Sequence, residues 1–414
     1  MENNRVPEVL FAGFDGEWKE QKLGEIFDVH TDFVSNGSFQ ALKDNVKLYT
    51  QENYAYMIRL QDASNNWKGP WLYTDKTGFD FLKKSTVYEN DILMSDRGTI
   101  GKFFQVPKLN KPMTLSSNAV LLRSSKNDNS FIYYMLNTKN IKNQIVIRTT
   151  PGVQPMISKT EFKKILSSLP LIDEQQKIGS FFKKLDETIA LHQQELDTLK
   201  QTKQGFLQKM FPKEGETVPE IRFPGFSGEW EERKWSETVD ISTNMVDPKT
   251  GKFDELPHIG PGNIESFSGR ILNNVNNVKE ENLISGKFHF NAGDIIYGKI
   301  NPQLGKYAMP SFNGLASADA YVLKAREGIS QSFLFVILQG IDFYKYSVSV
   351  SMRTGMPKIN RDELNQYSYL SPSIEEQTQI GNFFKQLDDT IALQQKELDA
   401  LKETKKAFLQ KMFI

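Results

Sequence analysis

A mixed α/β chain built of two tandem modules, each followed by a long helix, is what the sequence predicts. Three observations predict it. At 414 residues, with 39% hydrophobic and 25% charged side chains, the chain suits two or three ordinary domains and not a disordered tail. A long amphipathic stretch, FFKKLDETIALHQQELDTLKQTKQGFLQKMF (Phe181–Phe211), returns as FFKQLDDTIALQQKELDALKETKKAFLQKMF (Phe383–Phe413). Ahead of each copy, short apolar runs alternate with Gly, Pro and Asn, the punctuation of β-rich modules.

Each module opens on a repeated GEW turn. VPEVLFAGFDGEWKEQK (Val6–Lys22) and VPEIRFPGFSGEWEERK (Val218–Lys234) agree at 11 of 17 positions. Further along, NDILMSDRGTIGKF (Asn90–Phe103) parallels GDIIYGKINPQLGKY (Gly293–Tyr307), an apolar strand followed by a polar loop ending in Gly-Lys. SSNAVLL (Ser116–Leu122) parallels ASADAYVL (Ala316–Leu323), small residues leading into a strand. Phe131–Ile141 and Ser332–Phe343 read as helices. IRTTPGVQPMIS (Ile147–Ser158) parallels SMRTGMPKIN (Ser351–Asn360), each Arg-Thr, then Gly, then a short strand. Asp173–Phe211 and Glu375–Phe413 are identical at 27 of 39 positions without a gap. The expected division is a module at 1–170, a helix at 171–212, a second module at 213–372 and a second helix at 373–414.

Each helix carries a heptad seam. In the first copy Ile178, Phe182, Leu185, Ile189, His192, Leu196 and Leu199 recur at spacings of four and three, continuing through Lys203, Phe206 and Met210. The second copy repeats it as Ile380, Phe384, Leu387, Ile391, Gln394, Leu398 and Leu401, then Lys405, Phe408 and Met412. Two matching seams in one chain predict that the helices pair with each other. The linker PKEGETVPE (Pro212–Glu220) and a pseudo-two-fold relation of the halves would make that pairing an antiparallel coiled coil. His192 and Gln394 align as a polar break in the seam, a device that costs stability and specifies register.

Composition removes several chemistries. With no cysteine there is no disulfide, thiolate zinc site or cysteine nucleophile, and four scattered histidines show no metal-ligand spacing. The start, MENNRVPEVL, is not a signal peptide, and no run of about eighteen apolar residues appears, so a cytoplasmic protein without membrane contact is expected. Lys plus Arg and Asp plus Glu balance at 51 each. The balance is uneven along the chain. Arg97–Lys111 and Phe343–Arg361 each hold four basic residues and no acid, and Lys139–Lys164 holds six against Glu161 alone.

Tandem half-repeats, the doubled GEW turn (Gly16–Trp18, Gly228–Trp230) and the doubled helix start DEQQKIGSFFKKLDETI / EEQTQIGNFFKQLDDTI together resemble the specificity (S) subunit of type I restriction-modification systems, along the entire chain. The resemblance implies that each module is a target recognition domain reading half of a bipartite, asymmetric sequence in double-stranded DNA. It implies that the helices set the spacer and dock two modification (methyltransferase) subunits, with two restriction subunits joining the complex. The chain itself would need no cofactor, since S-adenosylmethionine, ATP and Mg serve the partner subunits.

The residues agree with a non-catalytic role. The nearest approach to an adenine-methyltransferase loop is NPQL (Asn301–Leu304), and no Pro-Pro pair occurs anywhere. GPG at Gly260–Gly262 and GTIGK at Gly98–Lys102 fall short of cofactor and phosphate loops. An adaptor whose modules bind proteins is the alternative, and the loop chemistry argues against it. Arg and Lys can pair guanine or grip phosphate, and Asn and Gln can pair adenine. The residues expected to face DNA are Arg97, Lys102, Arg148, Thr149, Gln154 and Lys159 in the first module, with Arg59, Gln61 and Asp62 at a strand end. In the second they are Lys299, Asn301, Gln303, Lys306, Arg353, Thr354 and Lys358. Trp67, Trp71 and Tyr73 read as core aromatics that could otherwise stack on sugars.

Overall fold

The buried strand Ile92–Met94 shows why the modules fold as they do. All three of its side chains are buried, and its two faces serve different cores. Ile92 and Met94 pack with helix-borne residues such as Phe131 and Ile141, whereas Leu93 packs with Tyr56 and Leu115 of a second sheet. A strand covered on both faces reads as a continuous apolar run and not as an alternation. Ile295–Gly298 repeats the arrangement, with Ile295 and Tyr297 toward the helices and Ile296 toward the second sheet.

The computed structural model describes residues 6–117, 119–352 and 355–414. By internal contact the chain forms two compact units, one of Met1–Leu191 with Asp399–Ile414, the other His192–Leu398. In the first unit one sheet runs Val29–Asp32, Val120–Arg123, Ile92–Met94, Phe103–Gln105, all antiparallel. The other runs Tyr73–Thr74, Ala55–Ile58, Met113–Leu115, Thr86–Val87, and its central pair is parallel. The second unit repeats this plan with Val239–Ile241, Ala320–Ala325, Ile295–Gly298 and Tyr307–Ala308 in one sheet. Its other sheet is Met245–Val246, Lys287–Phe290, Gly314–Ala316, His258–Ile259, again with one parallel pair. The first sheet thus has the same strand order in both units, while in the other sheet the parallel pair is central in the first unit and lies at the edge in the second.

Two local expectations are corrected. Phe131–Ile141 is not one helix: Asn129–Leu136 ends and Lys139–Arg148 begins, because the Thr138 side chain caps the second helix by accepting from Ile141 N. Gly340 marks the matching break between Gln331–Gln339 and Ile341–Ser351. The short strands expected within Ile147–Ser158 and Ser351–Asn360 are only isolated bridges in loops, Thr150 to Met156 and Ile300 to Lys358.

The two long helices are Ile172–Lys209 and Ile374–Lys411, 38 residues each. Acids in the first turn and a lysine in the last complement the helix dipole of both. Every seam residue is buried or half-buried. Within the first unit Phe181 meets Phe408 edge-on at 5.2 Å, and Asp186 pairs with Lys405. Within the second, Phe206 meets Phe383 at 5.0 Å, Lys203 pairs with Asp388, and Gln394 Nε2 lies 2.8 Å from His192 Nδ1. In each unit rising numbers on the first helix meet falling numbers on the second, so the two segments run antiparallel. The helix tails also complete the cores, Met412 and Phe413 in the first unit, Leu207 and Met210 in the second.

Each helix start is bound to its module by the same side chains. Gln175 accepts from Asp128 N and donates to Asn127 and to the Pro170 carbonyl. Gln377 accepts from Ser330 N and donates to the Gly328 and Pro372 carbonyls. Close approach demands glycine one turn on. A Cβ at Gly179 would stand 2.4 Å from Asp128 Oδ1, and one at Gly381 would stand 2.1 Å from Ser332 Oγ.

Candidate nucleic-acid interface

In each unit the fold brings two basic loops that are remote in sequence into direct contact. After the strand Ile92–Met94, the chain turns at Ser95, whose N–H donates to the Lys102 carbonyl at 3.0 Å. The loop between them lies against residues 149–157: Gly98 N donates to the Pro155 carbonyl at 3.0 Å, and Ile157 N to the Asp96 carbonyl at 3.1 Å. The second unit repeats every one of these bonds. Gly298 N donates to the Lys306 carbonyl, Asn301 N to the Pro357 carbonyl and Ile359 N to the Lys299 carbonyl, at 2.8, 2.8 and 3.0 Å. The repetition makes Lys102 and Lys306 counterparts, and likewise Gly98 and Asn301. Both of the latter have positive φ, 70° and 51°, a conformation that Gly and Asn tolerate best.

The loop pairs carry positive potential. His30, half-buried on the strand Val29–Asp32, has its pKa pushed down to about 4, first by burial and then by Lys159 and Lys163. Lys299 is lowered by burial first, then by Lys358 and Arg361, against the pull of Asp319. Its ammonium lies 5.2 Å from the Tyr321 ring centroid, and the Arg361 guanidinium lies 5.7 Å from the same ring. Arg361 also donates to the Ile241 and Ser242 carbonyls at 2.9 and 2.7 Å. A cation whose neighbours are cations gains from an anionic partner such as phosphate.

The expected residues distribute unevenly over this surface. Arg97, Lys102, Gln154, Lys159 and Lys358 are exposed on the loop pairs or at their edge, and the Arg97 side chain is 67% exposed. Lys299, Asn301, Gln303 and Lys306 are half-buried there, and the Lys306 ammonium is held by the Ile264 carbonyl. Arg148 donates to Gln144 O and Thr149 to Ile145 O, so both bind the end of their own helix. Arg59, Gln61 and Asp62 belong to the other sheet, beyond the strand Ala55–Ile58. Gln61 is exposed there. Asp62 is removed from the DNA-facing set: it is buried, and both its oxygens accept from Arg59, whose guanidinium also reaches the Pro70 carbonyl. Trp67, Trp71 and Tyr73 pack on the second sheet's core, Trp71 at 4.7 Å from Tyr56. Arg353 and Thr354 lie outside the described residues. Sequence reasoning missed His30, Lys163 and Arg361. Arg361 and Lys163 stand in the basic runs already counted, whereas nothing local marks His30.

Among the described residues no group of three or more His, Asp or Glu could hold a metal ion, and no single helix is long and apolar enough to cross a membrane. Residues 15–201 and 227–403 each match the model of the type I restriction modification DNA specificity domain. The EcoDI specificity subunit of Escherichia coli is 27% identical over 282 residues, 62% of each chain, so the match spans a little under two thirds of that relative. The MjaVIII specificity subunit of Methanocaldococcus jannaschii is 26% identical over 344 residues, 79% of each. Among solved structures, the type I S subunit from M. genitalium superposes with a TM-score of 0.64 at 14% identity, over 99% of both chains. A chain from a type I restriction-modification complex described for its assembly and conformational transition reaches 0.50 at 16%, over 98% of both. Neither the matched domains nor these relatives favour the protein-adaptor alternative. With two copies of one specificity domain spanning most of its length, this chain belongs to the type I restriction-modification DNA specificity family.

Proposed function

We propose that the chain is the sequence-reading, non-catalytic subunit of a type I restriction-modification complex. Each module reads one half of a bipartite, asymmetric site in duplex DNA. The observation that carries this reading is the pair of docked basic loops, built by the same three hydrogen bonds in both units but furnished with different side chains. Arg97, Lys102, Gln154 and Lys159 serve one half-site, and Lys299, Asn301, Gln303, Lys306 and Lys358 the other. Arginine and lysine supply phosphate grip and guanine pairing, while Asn and Gln supply adenine pairing. The paired helices, each about 57 Å long at 1.5 Å per residue, act as the spacer between readers. They also dock two methyltransferase subunits, to which two restriction subunits attach. S-adenosylmethionine, ATP and Mg act on those partners, and the assembly works in the cytoplasm.

Methylome mapping in cells expressing the chain with its partner subunits tests the reading. The expected result is an asymmetric bipartite motif that disappears when the chain is deleted; an unchanged methylome refutes it. At residue level, Arg97→Ala and Lys358→Ala should each weaken DNA binding of the assembled methyltransferase about tenfold or more. Removing a phosphate-gripping side chain lowers the salt slope for all sequences, whereas removing a base reader relaxes one position of the target. Unchanged affinity in both variants would remove the loop pairs from the interface.

A further inference from the structure

Where the helix Lys139–Arg148 gives way to its recognition loop, the first unit leaves apolar side chains in water. Val146 and Ile147 are 72% and 79% exposed, and Val153, five residues past Arg148, is fully exposed. Single exposed aliphatics are ordinary on a protein surface; three within eight residues are a patch. Turn geometry does not ask for Val153. Pro151 and Gly152 supply the turn, whereas a β-branched valine belongs by preference to strands and cores.

The tip that carries Val153 is held from both sides. Thr150 N donates to the Met156 carbonyl at 2.9 Å and Met156 N to the Thr150 carbonyl at 3.3 Å, which closes the loop of residues 151–155. On the other side, the Pro155 carbonyl and Ile157 N are bonded to Gly98 and Asp96 of the neighbouring loop. Val153 therefore stands on a backbone fixed at its base, between exposed Gly152 and Gln154 and near the loop of Arg97. From Lys139 to Ser158 the chain carries Lys139, Lys142 and Arg148 and no acid.

An apolar tip in basic surroundings suits a partner that is anionic at its edge and offers an apolar group further in. Duplex DNA is such a partner: phosphates line its grooves, and thymine presents a 5-methyl group in the major groove. The loop of the second half is three residues shorter, since Arg148 and Pro155 are seven positions apart and Arg353 and Pro357 only four. The tip is thus a feature of one reader and not of both.

Resting on the DNA-reading proposal and going beyond its polar contacts, we infer that Val153 is a specificity-determining residue that packs on the 5-methyl group of one thymine in the half-site read by the first module. The contact takes both groups out of water, and a buried methyl is worth about fourfold in affinity. Gln154 and Arg97 read hydrogen-bonding edges and cannot detect that carbon.

The test uses the assembled methyltransferase and its mapped target. Each thymine of both half-sites is replaced singly by uracil, which keeps the pairing edge and deletes only the methyl. One replacement, in one half-site, should weaken binding about fourfold. Val153→Ser should weaken binding of the thymine duplex by a similar factor and bind the thymine and uracil duplexes alike. Val153 is fully exposed, so thermal unfolding of the variant should match that of the unaltered chain, and the uracil scan itself needs no variant. Unchanged affinity for every uracil duplex, a target without thymine, or a methyl preference that Val153→Ser leaves intact overturns the inference. A complex that selects its target and ignores the methyl refutes this contact alone, because target selection upholds the DNA-reading proposal. A complex that selects no target overturns both.

Discussion

The two units place a buried carboxylate at the same point and satisfy it differently. Glu376, in the first turn of the second long helix, is 1% exposed and accepts twice from Arg222, both bonds at 2.7 Å. Its counterpart Glu174 is 4% exposed and accepts only from the Trp18 indole, at 3.4 Å. The repeat has Leu10 where the second half has Arg222, so no guanidinium reaches Glu174. Burial raises the Glu174 carboxyl above the ordinary range, with the indole working the other way. In the second half the indole loses its role, and the buried Trp230 nitrogen has no partner. The scaffold thus preserves the position of a group while its electrostatic solution drifts. The bonds that join helix to module through Gln175 or Gln377, like the backbone bonds that dock the loops, are kept in kind.

That contrast is broken most sharply by neutralising each carboxylate in turn. Glu376→Gln takes the charge from beside the half-buried Arg222 guanidinium, which keeps the Ser227 and Gly228 carbonyls, and should cost about 1.5–3 kcal/mol, read from urea midpoints at pH 7. Glu174→Gln keeps an acceptor for Trp18 and removes a buried charge, so its effect should stay within about 1 kcal/mol. Equal losses at the two sites would show that Arg222 adds nothing.

The histidine position sharpens the comparison next, since strand register sets His30 where the second half has Ile241. Folded His30 resists protonation down to about pH 4, while the unfolded chain takes a proton near its ordinary value of 6.5. The unfolded state therefore binds more protons between these limits. Stability is complete above about pH 6.5 and falls by about 3 kcal/mol as pH drops to 4. His30→Ile should flatten this part of the profile; an unchanged slope would assign it to other groups. The smallest expected effect lies on the helices. Gly205 has open space where a Cβ would go, and the second copy has Ala407 there. Gly205→Ala should stabilise by about 1 kcal/mol in thermal unfolding. Gly179→Ala should instead destabilise, because its Cβ would meet Asp128 and the Phe131 nitrogen.

Much of the fold is legible in the sequence because it rests on local period and on duplication. Heptad spacing and the doubled text give both long helices, expected at 171–212 and 373–414 and found at Ile172–Lys209 and Ile374–Lys411, and the apolar runs at Ile92–Met94 and Ile295–Gly298 are strands as read. Of the polar seam positions His192 meets Gln394, whereas Lys203 and Lys405 pair with Asp388 and Asp186, which lie outside the seam. The candidate interface is less legible. Arg97 and Gln154 are 57 positions apart, and no propensity says that Gly98 N will seek Pro155 O. Asp62 reads as a polar strand end and proves to be a buried clamp for Arg59.

By itself the sequence determined that the chain is a duplication, that each copy carries a long helix, and which face of that helix is apolar. These follow from short-range spacing and from self-comparison, both present in one string of residues. Tertiary structure alone decided that each core is completed by a helix tail from the other half of the sequence. It also decided that two basic loops dock edge to edge and that His30 sits beside Lys159 and Lys163. These depend on which side chains meet across long loops. Burial and electrostatic potential belong to that meeting, not to any residue alone.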